Sequence, residues 1–229
     1  MVKKILLKNK ILIILWGKRV EIFSKSNFVD HLGKLGLKAG ARVVCHSSLF
    51  SFGLSKSTDL LDALTEVIGK DGTLVVPGYV FNETEPFNRL STLPTNVGAL
   101  SLDLFKSKQS IRSYCPIHNH ISIGPMSNNL ILSDYCTSFG LGSDFDYLIK
   151  NDFEILLLGC SLSQGGTFLH HLEALAEVPY RKWINIPKII VKDGANEKVD
   201  FRYFARRDDF FEENFDIVHS ELIKVDNSI

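Results

Sequence analysis

His170, Glu173 and Glu177 are the residues of this sequence whose types and spacing best suit proton transfer. On a helix, positions three and seven residues apart lie on one face. A carboxylate there can orient an imidazole, and a neutral, oriented imidazole is what a general base requires. The partial positive charge at a helix start disfavours an imidazolium, whereas Glu173 favours it. The same residue types also occur as a first-turn histidine donating to a carbonyl, or as a surface ion pair.

The segment that must position them, residues 154–180, reads as strand, loop and helix. Residues 155–158 are an apolar run short enough for a buried strand. Residues 159–166 are rich in glycine and read as a flexible loop. Thr167 then stands where its hydroxyl can cap a helix. In open α/β sheets ligands bind outside the carboxyl ends of strands, which makes this setting a candidate site.

Two other groups could do chemistry. His118 and His120 form an HxH pair that, with His170 or His171, could hold zinc. No acidic cluster lies near them in sequence, so no metal is expected. Ser47 and Ser48 follow a strand. No G-x-S-x-G elbow surrounds either, so a cradle of hydroxyl and backbone N–H groups suits them better than a hydrolase nucleophile. Neither a dinucleotide-binding nor a P-loop fingerprint is present.

The chain has 229 residues, 45% of them hydrophobic, with 26 Lys+Arg against 26 Asp+Glu. A large core is affordable, and the balanced charge argues against nucleic-acid binding. Cys45, Cys115, Cys136 and Cys160 show no CxxC spacing, which fits a reducing cytoplasm without disulfides. The apolar run at the N-terminus, residues 11–16, is too short for a signal peptide or a membrane span. Residues 1–25 read as an amphipathic arm that packs on the domain, or on a second subunit in a homodimer. The whole chain, 1–229, reads as one domain.

Residues 26–37 carry a helical pattern, 42–45 a strand, 58–68 a helix with Ser57 as cap, and 73–76 a second strand stopped by Pro77. This is β-α-β with a crossover helix, the mark of a parallel pair. Residues 78–96 have no periodicity, and so long a loop is often functional. A helix over 97–106 can be capped by Thr95 or Asn96. Residues 111–116 and 121–123 read as extended, and 128–132 and 145–150 as short helices. Residues 186–191 and 199–204 alternate about a turn, which predicts a hairpin, and the tail from Asp208 predicts one more helix.

Taken in order, five segments resemble the aminoglycoside 3-N-acetyltransferase family: LGLKAGARVVCHSSLFSFG, LLDALTEVIGKDGTLVVPGY, PFNRLSTLPTNVGAL, CPIHNHISIGP and ILLLGCSLSQGGTFLHHLEALAEVPY. They run from Leu35 to Tyr180, and the resemblance covers roughly residues 26–183. The resemblance implies a three-layer α/β/α sandwich around a mixed, largely parallel sheet, with a C-terminal β-hairpin, unrelated to GNAT acetyltransferases. It implies acetyl-CoA as co-substrate and transfer to a small-molecule amine, as in antibiotic resistance. The L-H-x-x-E segment places the catalytic pair on His170 and Glu173. The H-S-S-L, post-strand and P-x-x-x-G-A-L segments place the CoA cleft at His46, Ser47, Ser48, Pro77 and Gly98. The acceptor side falls on Tyr79, Asn88, His118 and Glu177. Cys115 stands where the family often has His, and Asn88 where it often has Asp. The latter suggests an amino sugar, singly charged or anionic, in place of a polycationic drug. A histidine-based hydrolase or metalloenzyme, and a non-catalytic ligand-binding relative, are the competing readings.

Overall fold

The structure, a computed structural model, describes residues 11–14, 22–53, 55–81, 86–207 and 215. In chain order the elements are β1 (Ile11–Ile14), α1 (Lys25–Lys34), β2 (Arg42–Ser47), α2 (Ser57–Ile68), β3 (Thr73–Pro77), β4 (Phe87–Asn88) and α3 (Ala99–Lys106). They continue with β5 (Ile111–Arg112), β6 (His120–Ile123), α4 (Asp144–Lys150), β7 (Glu154–Leu158), α5 (Leu162–Gly165), α6 (Phe168–Ala176), β8 (Arg181–Lys192) and β9 (Ala195–Arg206). Short 3-10 turns occupy Leu49–Phe52 and Ser127–Leu132.

Six strands form one sheet in the order β1-β7-β2-β3-β6-β5. The first four run parallel, β6 pairs antiparallel with β3, and β5 pairs antiparallel with β6. The sheet is apolar on both faces because helices cover both. Val43, Cys45, Leu74, Val76, Leu156 and Leu158 pack with Phe28 and Leu32 of α1, Leu60 and Leu64 of α2, and Leu100 and Leu104 of α3. The alternate residues turn the other way. Ile155 and Leu157 meet Phe145 of α4 and Phe168, Leu169 and Leu172 of α6, and Val44 and Val75 meet Leu148 of α4. This is the expected three-layer α/β fold. A second sheet, β4-β8-β9, carries the hairpin, whose two-residue turn is Asp193-Gly194. Among the described residues no helix is long and apolar enough to cross a membrane.

Several local expectations change. The N-terminal arm contributes a strand, β1, paired parallel with β7. Residues 1–10 and the tail from Asp208, apart from Phe215, lie outside the described residues. Ser57 is the first residue of α2, not its cap, and its hydroxyl donates to Asp103 at 2.5 Å. Gly98 precedes α3, where Thr95 or Asn96 was expected to cap. Thr95 instead ties the preceding loop down, its N–H donating to the Tyr79 carbonyl at 2.7 Å and its hydroxyl accepting from the Phe81 N–H at 2.9 Å.

That loop is held from below by Arg112, which is buried and has neutral partners. Its guanidinium donates to the Asn119 side-chain oxygen at 2.7 Å, the Gly78 carbonyl at 2.6 Å and the Thr92 carbonyl at 2.5 Å. Phe87 and Phe105 lie against it, each with its centroid 5.1 Å away. Burial pushes the Arg112 pKa down to about 9, so the group is still charged at neutral pH. Without it, two buried acceptors and a part-buried one lose a charged donor. Arg112→Met is therefore expected to cost about 3 kcal/mol. For a chain of this size that lowers the melting temperature by about 6–12 °C. Denaturant and thermal unfolding measure this, and a cost below about 1 kcal/mol would show that other contacts hold the loop.

Candidate active site

The topology brings the candidate residues to one rim. Strands β7, β2 and β3 are parallel, so Leu158, Ser47 and Pro77 end side by side. Strand β6 runs the other way and starts there, with His120 opposite Pro77. The expected cofactor residues His46, Ser47, Ser48, Pro77 and Gly98 line a single cleft of about 420 Å³. Tyr79, Asn96, Cys160, Gln164 and Thr167 complete its wall.

Close packing shapes this cleft. A Cβ added to Gly98 would stand 2.6 Å from the Ser47 carbonyl oxygen. One added to Gly165 would meet Leu157, Cys160 and His46. Residues 159–166, read as a flexible loop, contain the short helix α5. Gln164 reaches back to accept from the Ser161 N–H at 3.0 Å, a capping signature the S-x-x-Q spacing already carried. The Ser48 N–H is committed to the Leu158 carbonyl at 2.8 Å, so it does not serve the cradle.

Helix α6 begins on the cleft wall at Thr167. This residue has helical backbone angles and makes no side-chain cap, contrary to expectation. It lines the cleft together with Tyr79 instead. One turn on, His170 Nδ1 sits 2.7 Å from Glu173 Oε2. The carboxylate has two further partners. The Tyr180 hydroxyl donates to Oε1 at 3.0 Å, and Arg181 Nε forms an ion pair with Oε2 at 2.8 Å. Burial acts to raise the Glu173 pKa, but hydrogen bonding to His170 and Tyr180 and the nearby positive charge bring it below the usual carboxylate range. An ionised carboxylate only accepts, so the Nδ1 bonded to it carries a proton, and Nε2 keeps the lone pair in the neutral ring.

Three other histidines, His46, His118 and His171, are held neutral. Burial, with a contribution from His120, pushes the His46 pKa down to about 3. It pushes His171 down to about 4 and His118 well below the ordinary value. His118 and His120 both face Tyr79, with ring centroids 5.1 and 5.7 Å away, as an HxH pair on an extended segment should. Their Nδ1 atoms are engaged by Ser138 at 2.7 Å and Asp144 at 3.1 Å. His171 Nδ1 accepts from the Gly140 N–H at 3.1 Å. Among the described residues no group of three or more His, Cys, Asp or Glu is placed to hold a metal ion.

Two expected acceptor residues lie elsewhere. Glu177 ends α6 in a left-handed conformation and is exposed, so the face shared with His170 stops at Glu173. Asn88 lines a separate surface cleft with Pro94 and Val191, and its side-chain oxygen accepts from the Leu90 N–H at 2.9 Å. Glu83 and Glu85 are outside the described residues. Conversely, Tyr180 and Arg181 escaped the sequence reading. They belong to the segment after α6, and only the fold returns them to Glu173.

Known proteins share this architecture. The curated relatives include a Bacillus subtilis (strain 168) protein named SPbeta prophage-derived aminoglycoside N(3')-acetyltransferase-like protein YokD. It is 28% identical over 217 residues, covering 83% of this chain and 78% of the relative. Aminoglycoside N(3)-acetyltransferase IX of Micromonospora chalcea is 27% identical over 203 residues, covering 78% and 72%. Among solved structures, one described as AAC-IIIb binary with CoASH superposes with a TM-score of 0.78 at 20% identity, covering 90% of this chain and 86% of the other. The family model described as aminoglycoside 3-N-acetyltransferase matches residues 44–226, most of the sequence, and the chain belongs to that acetyltransferase family.

Proposed function

We propose that this protein transfers an acetyl group from acetyl-CoA to an amino group of an aminoglycoside or related amino sugar, directly, with His170 as general base. The observation that carries the proposal is the His170–Glu173 pair, one helical turn from Thr167 on the wall of a cleft at the strand ends. The relatives' names support the reaction, and the CoA named with the structural neighbour supports the donor.

On this reading the donor lies along the cleft formed by His46–Ser48, Pro77, Gly98 and Gln164. Helix α3 starts at its wall, and the N–H groups of a helix's first turn favour an anionic group such as a CoA phosphate. The acceptor amine attacks the thioester carbonyl carbon. His170 Nε2 takes the amine proton, and the Glu173 carboxylate favours the imidazolium as it forms. The C–S bond breaks, the CoA sulfur leaves with the electron pair, and the imidazolium proton neutralises the thiolate. The first turn of α6, at Thr167–Phe168, offers N–H donors to the carbonyl oxygen as it gains charge. An acyl-cysteine route is disfavoured, because burial pushes the Cys160 pKa up to about 11 and lifts Cys115 further.

Two variants separate the halves of the site. His170→Ala is expected to lower acetyl transfer about 10²–10⁴-fold, measured as thiol release from acetyl-CoA with aminoglycosides and amino sugars as acceptors. CoA affinity by calorimetry should stay within a few-fold. Near-normal turnover in a folded His170→Ala protein would remove His170 from the mechanism.

Gly98→Ala should do the reverse. Its Cβ must displace the Ser47 backbone at the cleft wall. The KM for acetyl-CoA should rise about tenfold, equivalent to about 1.4 kcal/mol, with little change in kcat. An unchanged KM would move the donor out of this cleft.

A further inference from the structure

Arg181 and His170 reach the same oxygen of Glu173, at 2.8 and 2.7 Å. Arg181 opens β8, and its guanidinium is fixed independently of the helix. It donates to the Phe204 carbonyl on β9 at 3.1 Å and lies over the Phe204 ring at 6.0 Å. Both Arg181 and Glu173 are about nine-tenths buried, at 8% side-chain exposure each, while His170 is at 22%. The C-terminal hairpin therefore delivers a permanent cation to the carboxylate that orients the candidate base.

We infer that Arg181 is a positioning residue that sets the pH at which His170 works. This rests on the reading of His170 as the base. The Glu173 charge favours a protonated imidazole. A guanidinium on the same oxygen cancels part of that field, so His170 gives up its proton at a lower pH than Glu173 alone would allow. The described groups that face the pair come from several elements. Glu173 is on α6, Tyr180 and Arg181 come from the entry to β8, and His118 precedes β6 and is held neutral by burial. Tyr203 of β9 stacks on His118 at 6.1 Å, and the rings of Phe139 and Phe215 lie 5.8 and 5.2 Å from His170. Among these described groups Arg181 is the permanent cation. The hairpin thus acts on the reaction through one ion pair, without its own side chain entering the transfer.

The test is an NMR titration of His170, assigned by its loss in His170→Ala, in the wild-type protein, Arg181→Met and Arg181→Lys. Removing the cation should raise the His170 midpoint by about one pH unit, and lysine should restore most of the shift. Should Arg181→Met not fold, Arg181→Gln removes the same charge. An unmoved or lowered midpoint in a folded, neutral variant overturns the inference, because a purely structural arginine would lower kcat without moving the titration. The base assignment fails separately, by acetyl transfer that survives His170→Ala.

Discussion

The carboxylate of Glu173 is the point on which the site depends. One of its oxygens serves His170 and Arg181, and the other serves Tyr180. Through it the helix that carries the histidine is tied to the hairpin that closes the fold. A buried carboxylate is tolerated only when its charge is met by donors and cations. Here those partners come from both sides of the helix end, so the geometry that makes the charge affordable also fixes the imidazole. The same arrangement determines the proton: Nδ1 faces an acceptor, and Nε2 is left to act.

Burial sorts three other histidines from this one. His46, His118 and His171 are driven toward the neutral form, and each of the latter two has a ring nitrogen held by Ser138 or Gly140. His46 and His118 lie against the Tyr79 ring, and His171 against Phe145. His170 combines a carboxylate partner with partial exposure, which a base acting on an external amine requires. The mixed sheet explains why these groups meet at all. Three parallel strands end at one rim, and the antiparallel β6 begins there, so segments far apart in sequence share a single edge.

Much of this was legible in the sequence. The β-α-β unit at residues 42–77 and the hairpin followed from apolar periodicity and turn residues. The His170–Glu173 contact followed from helical spacing and the Ser47–Ser48 cradle from its place after a strand, whereas His46, Pro77 and Gly98 came from the family resemblance. The failures share a cause. Glu177 looked like a third member of the helical face, but the chain turns left-handed there, and Pro179 was the available stop signal. Asn88 was placed by family resemblance, whereas its local turn directs it to another cleft. The Thr167 and Thr95 hydroxyls looked like caps because cap propensity is local, yet Thr95 accepts from the Phe81 N–H and Thr167 is itself helical and makes no cap. Tyr180 and Arg181 could not be read from spacing, since the helix end and the strand entry that bring them to Glu173 are features of the folded chain.

On the proposed mechanism, neutral His170 carries its proton on Nδ1 and offers Nε2 to the amine. Long-range proton–nitrogen correlation spectra of protein labelled with ¹⁵N-histidine read this directly, with His170 assigned from the His170→Ala spectrum. At a pH where His170 is neutral, the expected result is a protonated, pyrrole-type Nδ1 and a pyridine-type Nε2. A pyridine-type Nδ1 with the proton on Nε2 would contradict it, because the ring would then present no lone pair for the acceptor's proton.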